Sequence, residues 1–376
     1  MEYHQFSDDN RVSTAQKLLR RLHIDLPLLL GLLLLSAIGL FVLYSAGDQS
    51  TDLITRQLIR LGIGFVIMFA IAQISPAVIQ RWAPWIFGIG LIMLVAVLLL
   101  GEVGKGAQRW LNLGFFRFQP SEIMKVAVPM MIAWYLAEVV LPPRKRHLVA
   151  ALTVLILPTL LVAKQPDLGT ALLIASSGIF VLLLAGLQWK LIIGSLITLV
   201  SSAPLVWNYL LHDYQRQRVL TFINPENDPL GAGYHIIQST IAIGSGGLYG
   251  KGWLNGTQSH LDFLPERSTD FIFAVFGEEF GFLGILLLLA IYGVIIVRGL
   301  IIANQAQDTF TRLLAGSLIL TFFVYIFVNI GMVTGILPVV GVPLPLISYG
   351  GTSMVTLLAG FGILMSIQTH RRLIAN

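Results

Sequence analysis

Long apolar runs, separated by short polar or glycine- and proline-containing segments, dominate the chain. Many of these runs approach or exceed the roughly 20 residues that a helix needs to cross a bilayer. We therefore expect an all-α polytopic membrane protein. The pattern predicts about ten transmembrane helices, at residues 25–46, 57–75, 83–101, 121–141, 147–164, 168–187, 189–209, 270–298, 312–335 and 348–369.

The composition agrees with this class of protein. Hydrophobic residues make up 56% of the chain and charged residues only 11%, which leaves too little polar surface for a soluble globule. Cysteine is absent, so disulfides, thiolate metal sites and cysteine nucleophiles are excluded. The positive charges are scattered between the predicted spans, so membrane electrostatics explains the net charge of +5 better than a nucleic-acid partner does. We expect one integral membrane domain over residues 1–376.

The distribution of basic residues predicts the orientation in the membrane. If ten helices alternate, the leader 1–22, the loop "PPRKRH" at 142–147, Arg298 and the tail "HRRL" at 370–373 share one side. The positive-inside rule makes that side the cytoplasm, so both termini are expected there. The loop between spans seven and eight, residues 210–269, is then extracytoplasmic. Its apolar stretch within 231–247 predicts a short interfacial or re-entrant helix.

Many cations also fall on the predicted outer side, where topology disfavours them. Some are explained as solvated loop charges, but their number favours an anionic ligand, such as a phosphate, handled at that face. Arg216 and Arg218 illustrate both readings near the end of span seven. Guanidinium forks suit diphosphate oxygens, and juxtamembrane anchoring is equally compatible with the sequence.

Two segments place carboxylates beside cations at predicted helix starts. Glu122 and Lys125 are three residues apart and can pair on one helical face, near Trp110 and Arg109. The alternative is a purely structural ion pair beside an interfacial tryptophan. Asp167 precedes the sixth span and is expected to cap that helix, which does not exclude contact with a cavity.

The stretch "FLPERSTDFIFAVFGEEFG" joins the long loop to the eighth span. Asp270 lies at the membrane edge, and a carboxylate there suggests a function because its desolvation must be compensated. Glu278 and Glu279 follow within the apolar run and are expected to bond to helix ends or loop backbone inside the bundle. The histidines are dispersed, and no metal triad is visible.

The stretch "NIGMVTGILPVVGVPLPLISYGGTS" at 329–353 closely resembles the signature of the SEDS family (shape, elongation, division and sporulation). The segments "RWLNLGFFRFQPSEIMK", "KQPDLGTALL" and "FLPERSTDFIFAV" are similar to further blocks of that family, in the same order. The resemblance covers most of the chain, and it is closer to the elongation members than to the division members.

This resemblance implies a peptidoglycan glycosyltransferase that polymerises lipid II during cell elongation, at the outer face of the bacterial inner membrane. It implies an inverting transfer in which Asp270 is the catalytic general base and polyprenyl diphosphate leaves. Cations would stabilise that leaving group, and nearby carboxylates would orient them or bind the sugar. The implied substrate-binding residues are Arg109, Trp110, Glu122, Lys125, Asp167, Arg216 and Arg218.

The resemblance also implies partners: lipid II, the nascent glycan strand, a class B penicillin-binding protein transpeptidase and the elongation machinery. A divalent cation, Mg²⁺ or Mn²⁺, could share the diphosphate chemistry, but the sequence assigns no ligands to it. The alternative function is a flippase for the lipid-linked precursor. A transporter is expected to show midplane charges and repeat symmetry, whereas the charges here cluster at the outer edge.

Overall fold

The computed structural model describes residues 22–104, 107–112, 117–210, 213–224, 231–257 and 266–370. Helices dominate these residues, and a small three-stranded sheet is the other element. The helices are α1 Leu26–Ala46, α2 Thr51–Ala72, α3 Pro76–Leu100, α4 Pro120–Ala137, α5 Lys145–Lys164, α6 Leu168–Leu184, α7 Trp189–Leu205, α8 Asp213–Ile223, α9 Ala232–Ser245, α10 Ile272–Asn304, α11 Thr309–Val333 and α12 Thr352–Thr369.

Within the described ranges, seven helices are long and apolar enough to cross a membrane: α1, α2, α3, α5, α10, α11 and α12. Helix α6 is apolar but has 17 residues, and α7 has 17 and continues into a five-residue π-helical turn, Val206–Leu210. Helix α4 has 18 residues and carries Glu122 and Lys125. These ten helices correspond to the ten predicted spans, and the all-α polytopic membrane fold is confirmed.

Three predicted helix starts were wrong by four to seven residues, and the predicted ends of α4 and α10 were wrong by four and six. Helix α2 begins at Thr51 rather than at 57, because the hydroxyl of Ser50 caps it by accepting the backbone N–H of Leu53. Helix α3 begins at Pro76 rather than at 83, with proline in the first turn, where it costs no hydrogen bond. Helix α12 begins at Thr352 rather than at 348, because residues 340–350 form an irregular loop.

A small antiparallel sheet between α3 and α4 was not predicted. It consists of β1 Glu102–Gly104, β2 Ala107–Asn112 and β3 Arg117–Phe118, in the order β1-β2-β3. The strands are two to six residues long, too short for an alternating pattern to stand out between two apolar runs. The sheet carries Arg109 and Trp110 to the end of the bundle where α4 and α6 begin.

The eighth span is kinked at Gly281, whose backbone (φ 64°, ψ −165°) is not helical. Residues 247–252 take over the hydrogen bonds that the kink breaks. The backbone N–H groups of Lys251 and Gly252 donate to the carbonyls of Glu278 and Glu279, at 3.0 Å each. In return, the carbonyl of Gly247 accepts the N–H of Phe282 at 2.9 Å. The glycine-rich segment after α9 is therefore the structural complement of the kink.

Helices α1 and α10 pack side by side and are joined by polar contacts at both ends. At one end, Asp25 caps α1 and receives two hydrogen bonds from the guanidinium of Arg298, at 3.1 and 2.5 Å. At the other end, the hydroxyl of Ser45 donates to the carboxylate of Glu279. Asp25 and Ser45 are about 30 Å apart along α1 at 1.5 Å per residue. Glu279 therefore lies near one boundary of the spanning region.

Glu278 and Glu279 are completely buried, yet each is held by polar groups. One oxygen of Glu278 accepts from the Lys251 ammonium at 2.7 Å and from the backbone N–H of Thr257 at 2.9 Å. The expectation that these acids bond to helix ends or loop backbone is confirmed for Glu278 by the Thr257 contact, and Glu279 bonds to the Ser45 side chain near the end of α1. The end of the bundle that contains them, together with α9 and Asp270, is called the loop end below.

A candidate active site in a groove at the loop end

A groove of about 1700 Å³ opens between helices α2, α3, α4 and α12. One wall is built from isoleucines at helical spacing on α2, including Ile63, Ile67 and Ile71. Residues four apart share a helix face, so these side chains form a continuous apolar stripe. Val355, Ala359 and Ile363 of α12 repeat this spacing on a second wall. The part of the groove between these two helices is therefore suited to a hydrocarbon chain.

Polar residues line the groove on α4. The ammonium of Lys125 donates to the Glu122 carboxylate at 2.7 Å and to the Tyr325 hydroxyl at 2.6 Å. Lys125 is only 5% exposed and Glu122 only 4% exposed. A buried charge needs such partners, because an unpaired one carries a large desolvation cost. The predicted pair exists, and both of its members face the groove.

Asp167 joins a second polar cluster at the same end. One carboxylate oxygen caps α6 by accepting the backbone N–H of Thr170 at 3.2 Å, as expected. The other accepts from the side-chain amide of Gln119 at 3.1 Å and lies 3.7 Å from Nε of Arg109. Arg109 also donates to the carbonyl of Pro166 at 2.5 Å. Asp167 therefore both caps α6 and lines the groove.

The backbone around Asp270 is fixed by the residues of the signature stretch. The carbonyl of Ser268 accepts the backbone N–H of Tyr349 at 2.8 Å. The carbonyl of Thr269 accepts the hydroxyl of Ser348 at 2.6 Å. The carbonyl of Asp270 accepts the side-chain amide of Asn329 at 2.9 Å. Three consecutive carbonyls are thus held by side chains or backbone from outside their own turn.

Asp270 does not line the groove itself but lies at its rim, beside the lining residue Gly341. It is half-buried, and Oδ2 is 3.5 Å from the position that a Cβ on Gly341 would occupy. Gly341 itself lines the groove, next to Val342. The Asn329 amide also donates to the Val342 carbonyl at 2.7 Å, so one side chain ties the groove wall to the Asp270 turn.

Among the predicted site residues, the groove brings together Arg109, Trp110, Glu122, Lys125 and Asp167. Arg216 is not in its lining; this arginine donates to the carbonyl of Asn208 at 3.0 Å within its own region of the chain. The side chain of Arg218 lies outside the described residues.

Sequence reasoning missed other groups at the site. Arg60 of α2 lines the groove, and its guanidinium lies over the ring of Tyr349, 4.5 Å from the centroid. Tyr325 and Asn329 bond to predicted site residues from α11. An arginine within an apolar run is the signal that could have identified Arg60. No local pattern could have identified Tyr325, because its partner is 200 residues away.

The arrangement has the groups needed for acid–base chemistry on a lipid-linked anion. A positioned carboxylate can accept a proton. Fixed cations in a low-dielectric groove can stabilise developing negative charge. As for a divalent cation, no group of three or more His, Asp or Glu within the described ranges could hold one.

Comparison with known proteins finds relatives that match over nearly the whole of both chains. The model of the FtsW/RodA/SpoVE family, described as cell cycle proteins, matches residues 18–373. The peptidoglycan glycosyltransferase MrdB of Escherichia coli (strain K12) is 57% identical over 355 residues, covering 94% of this chain and 96% of that protein. Stage V sporulation protein E of Bacillus subtilis is 36% identical over 360 residues, covering 93% of this chain and 98% of that protein.

Solved structures agree with the sequence comparison. A chain from a peptidoglycan synthase complex, whose structure concerns the coordination of polymerisation and crosslinking, matches with a TM-score of 0.82 at 32% identity, covering 93% of this chain and 98% of that one. The rod shape determining protein RodA of Thermus thermophilus matches with a TM-score of 0.69 at 28% identity, over 92% and 96% of the two chains. On sequence and fold together, the chain belongs to the FtsW/RodA/SpoVE family.

Proposed function

We propose that this protein is a peptidoglycan glycosyltransferase that polymerises lipid II into glycan strands during cell elongation, with Asp270 as the general base. One observation carries the assignment. The carboxylate of Asp270 belongs to a turn whose three consecutive backbone carbonyls are held by hydrogen bonds. It lies at the rim of a groove that combines apolar walls with fixed cations. The 57% identity to a peptidoglycan glycosyltransferase supports the same activity.

The proposed reaction is a single displacement with inversion at the anomeric carbon. The 4-hydroxyl oxygen of the acceptor GlcNAc forms a bond to C1 of the donor MurNAc, while the bond from C1 to the diphosphate oxygen breaks. Asp270 takes the hydroxyl proton, and the diphosphate keeps the bonding electron pair. One base is enough, so no second carboxylate is required at nucleophile distance.

The groove suits this lipid-linked substrate in both of its parts. The isoleucine stripe of α2 and the facing side chains of α12 offer an apolar surface to the polyprenyl chain. Lys125 and Arg109 line the polar part, where the diphosphate develops charge as it leaves. Glu122 and Asp167 hold these two cations in position through the contacts at 2.7 and 3.7 Å.

The location follows from the same proposal. The loop end, with Asp270 and the groove mouth, faces the outside of the bacterial inner membrane, and both termini are cytoplasmic, in agreement with the charge distribution. A class B penicillin-binding protein is the proposed partner, supported by the match to a chain from a synthase complex. No step above depends on a divalent cation.

Polymerisation of purified lipid II is the direct test. The protein in detergent, alone and with its partner transpeptidase, should convert fluorescent lipid II into long glycans that a muramidase digests. Asp270→Ala should abolish the product at normal expression and melting temperature. Product formation by Asp270→Ala at the wild-type rate would refute the assignment of the base.

Reconstitution in liposomes tests the competing flippase function. The enzyme function predicts polymer from lipid II in the accessible leaflet, without transfer of lipid to the other leaflet. Translocation of labelled lipid II with no polymer formed, with or without the partner, would favour a transporter instead.

A further inference from the structure

Three cations among the described residues line the groove: Arg60, Arg109 and Lys125. They differ in what already neutralises them. Lys125 is paired with Glu122 at 2.7 Å, and Arg109 lies 3.7 Å from Asp167. Within the part of the chain that the structure describes, no carboxylate lies within ion-pair distance of Arg60. Its guanidinium lies over the face of the Tyr349 ring.

Arg60 is also in an unusual position for an unpaired charge. It is half-buried on the spanning helix α2, nine residues after its first residue, and a Cβ added to Gly351 would lie 4.0 Å from its guanidinium. It is therefore level with the start of α12, about 14 Å along α2 from the helix end. Charged side chains inside spans are uncommon, and they mark pathways or ligand sites when they face a cavity.

A cation–π contact compensates the desolvation of a guanidinium only in part, because the ring offers no hydrogen-bond acceptor to the five N–H donors. Arg60 also lines a groove whose walls on α2 and α12 are apolar. An anion carried by a lipid chain would satisfy both features. It would bring its own hydrocarbon to the isoleucine stripe and its oxygens to the guanidinium.

Arg60 is connected to the proposed catalytic carboxylate through a single residue. The guanidinium of Arg60 lies over the ring of Tyr349. The backbone N–H of the same tyrosine donates to the carbonyl of Ser268, two residues before Asp270. A diphosphate bound at Arg60 would thus be located relative to the Asp270 turn by the same signature loop. Arg216, one of the four cations that the sequence suggested for the diphosphate, does not line the groove and donates to the carbonyl of Asn208.

We propose that Arg60, rather than the predicted Arg216, is the principal protein contact of the polyprenyl diphosphate. This inference rests on the proposed function for the identity of the ligand, but the site itself rests on the geometry of Arg60. The shared chemistry is that of a lipid-linked phosphate. An anionic phospholipid headgroup offers the same chemistry, so the experiment has to separate the two sources.

Direct binding measurements test the proposal without any need for turnover. The probes are undecaprenyl diphosphate, undecaprenol as the chain without the anion, and phosphatidylglycerol, each titrated into the purified full-length protein in neutral detergent. We expect Arg60→Gln to weaken binding of undecaprenyl diphosphate by about tenfold or more, the effect of losing a charge-assisted contact. Undecaprenol binding should change by less than about twofold, since a chain without charge does not use the guanidinium.

Arg56 supplies the matched control. It lies one turn away on the same helix, is exposed, and pairs with Asp52 at 2.9 Å. Arg56→Gln removes the same charge but should leave undecaprenyl diphosphate binding within about twofold, because solvent screens an exposed pair. Arg60→Lys keeps the charge without the fork and should show an intermediate loss. It also provides a folded comparison if Arg60→Gln is unstable.

The possible results separate cleanly. If Arg56→Gln and Arg60→Gln weakened undecaprenyl diphosphate binding equally, the proposal would be overturned in favour of a general electrostatic attraction at the outer face. If Arg60→Gln weakened only the binding of phosphatidylglycerol, the proposal would be overturned in favour of an anionic phospholipid as the ligand. Loss of polymerisation in Asp270→Ala with unchanged diphosphate binding in Arg60→Gln would reject this inference and leave the enzyme function intact. Selective diphosphate binding through Arg60 in a protein that makes no polymer would support the Arg60 site and reject the enzyme function.

Discussion

Replacement of Gly281 by alanine should strongly destabilise the protein, because the kink of α10 requires a residue without a side chain. The φ of 64° and ψ of −165° lie in a region that is almost restricted to glycine. A Cβ added there would lie 2.3 Å from the backbone nitrogen of Gly250 and 2.8 Å from the carbonyl of Leu248. Both neighbours are backbone atoms, so no rotamer change can relieve the clash.

The size of the effect follows from two contributions. Holding a non-glycine residue in such a conformation costs about 1–3 kcal/mol. Forcing extra volume against packed backbone costs about 1–3 kcal/mol more. We therefore expect Gly281→Ala to lower the free energy of unfolding by about 2–6 kcal/mol. We also expect Gly281→Ala to lower activity. Residues 247–252 hydrogen-bond to the kink, which follows Asp270 along the eighth span.

Gly293 provides the matched control on the same helix. No atom lies within 4 Å of a Cβ added at Gly293, and its φ lies outside the left-handed region. Gly293→Ala should be neutral, or stabilising by about 0.5–1 kcal/mol, because alanine favours a helix more than glycine does. Both variants are compared by unfolding in mixed detergent micelles. The reasoning is refuted if Gly281→Ala unfolds at the same denaturant concentration as Gly293→Ala.

Three further predictions concern other contacts. Asn329→Ala should lower kcat about tenfold or more while KM changes little, because it releases the carbonyl of Asp270 without touching the groove cations. Glu122→Ala should destabilise the protein by about 3–5 kcal/mol, since it leaves the buried Lys125 without its carboxylate. Burial, and then the neighbouring His370, lowers the pKa of His23 below its usual 6.5, so the folded state resists protonation. Stability should therefore fall as the pH is lowered through about 6.5, measured as the melting temperature.

Each of these predictions has its own control. Ser317→Ala removes another buried bond of α11, to the carbonyl of Ser177 at 2.6 Å, and should leave kcat unchanged. An equal fall of kcat in both variants would contradict a positioning role for Asn329. For the ion pair, replacing Lys125 by methionine as well should restore stability, and a double variant no better than Glu122→Ala would contradict the pairing argument. For the histidine, His23→Gln should flatten the dependence of the melting temperature on pH, and an unchanged slope would exclude this residue as its source.

The number and order of the spans could be predicted because hydrocarbon thickness imposes a length on every crossing helix. The start of α2 could not, because Ser50 and a polar first turn extend that helix beyond its apolar run. The short β-sheet carrying Arg109 was missed because strands of two to six residues leave no readable alternation.

The candidate site was predicted where chemistry is local in sequence. The Glu122–Lys125 pair and the Asp167 cap depend on spacings of three residues, and both are present. The clamp on Asp270 could not be predicted in this way, because Asn329 is 59 residues away in the chain. The choice among cations also needed the fold. The sequence left Arg216 open between a phosphate ligand and a juxtamembrane anchor, and in the fold it does not line the groove, whereas Arg60 does.

The central claim is that Asp270 accepts the proton in glycan transfer, and the rate of Asp270→Asn tests it most directly. Asparagine keeps the size and the clamped backbone but cannot act as a base. The initial rate of lipid II polymerisation should fall by about 100-fold or more, the usual contribution of a general base. Lipid II binding, measured separately, should stay within about threefold, because the groove cations are unchanged. A polymerisation rate above about one tenth of wild type would contradict the claim.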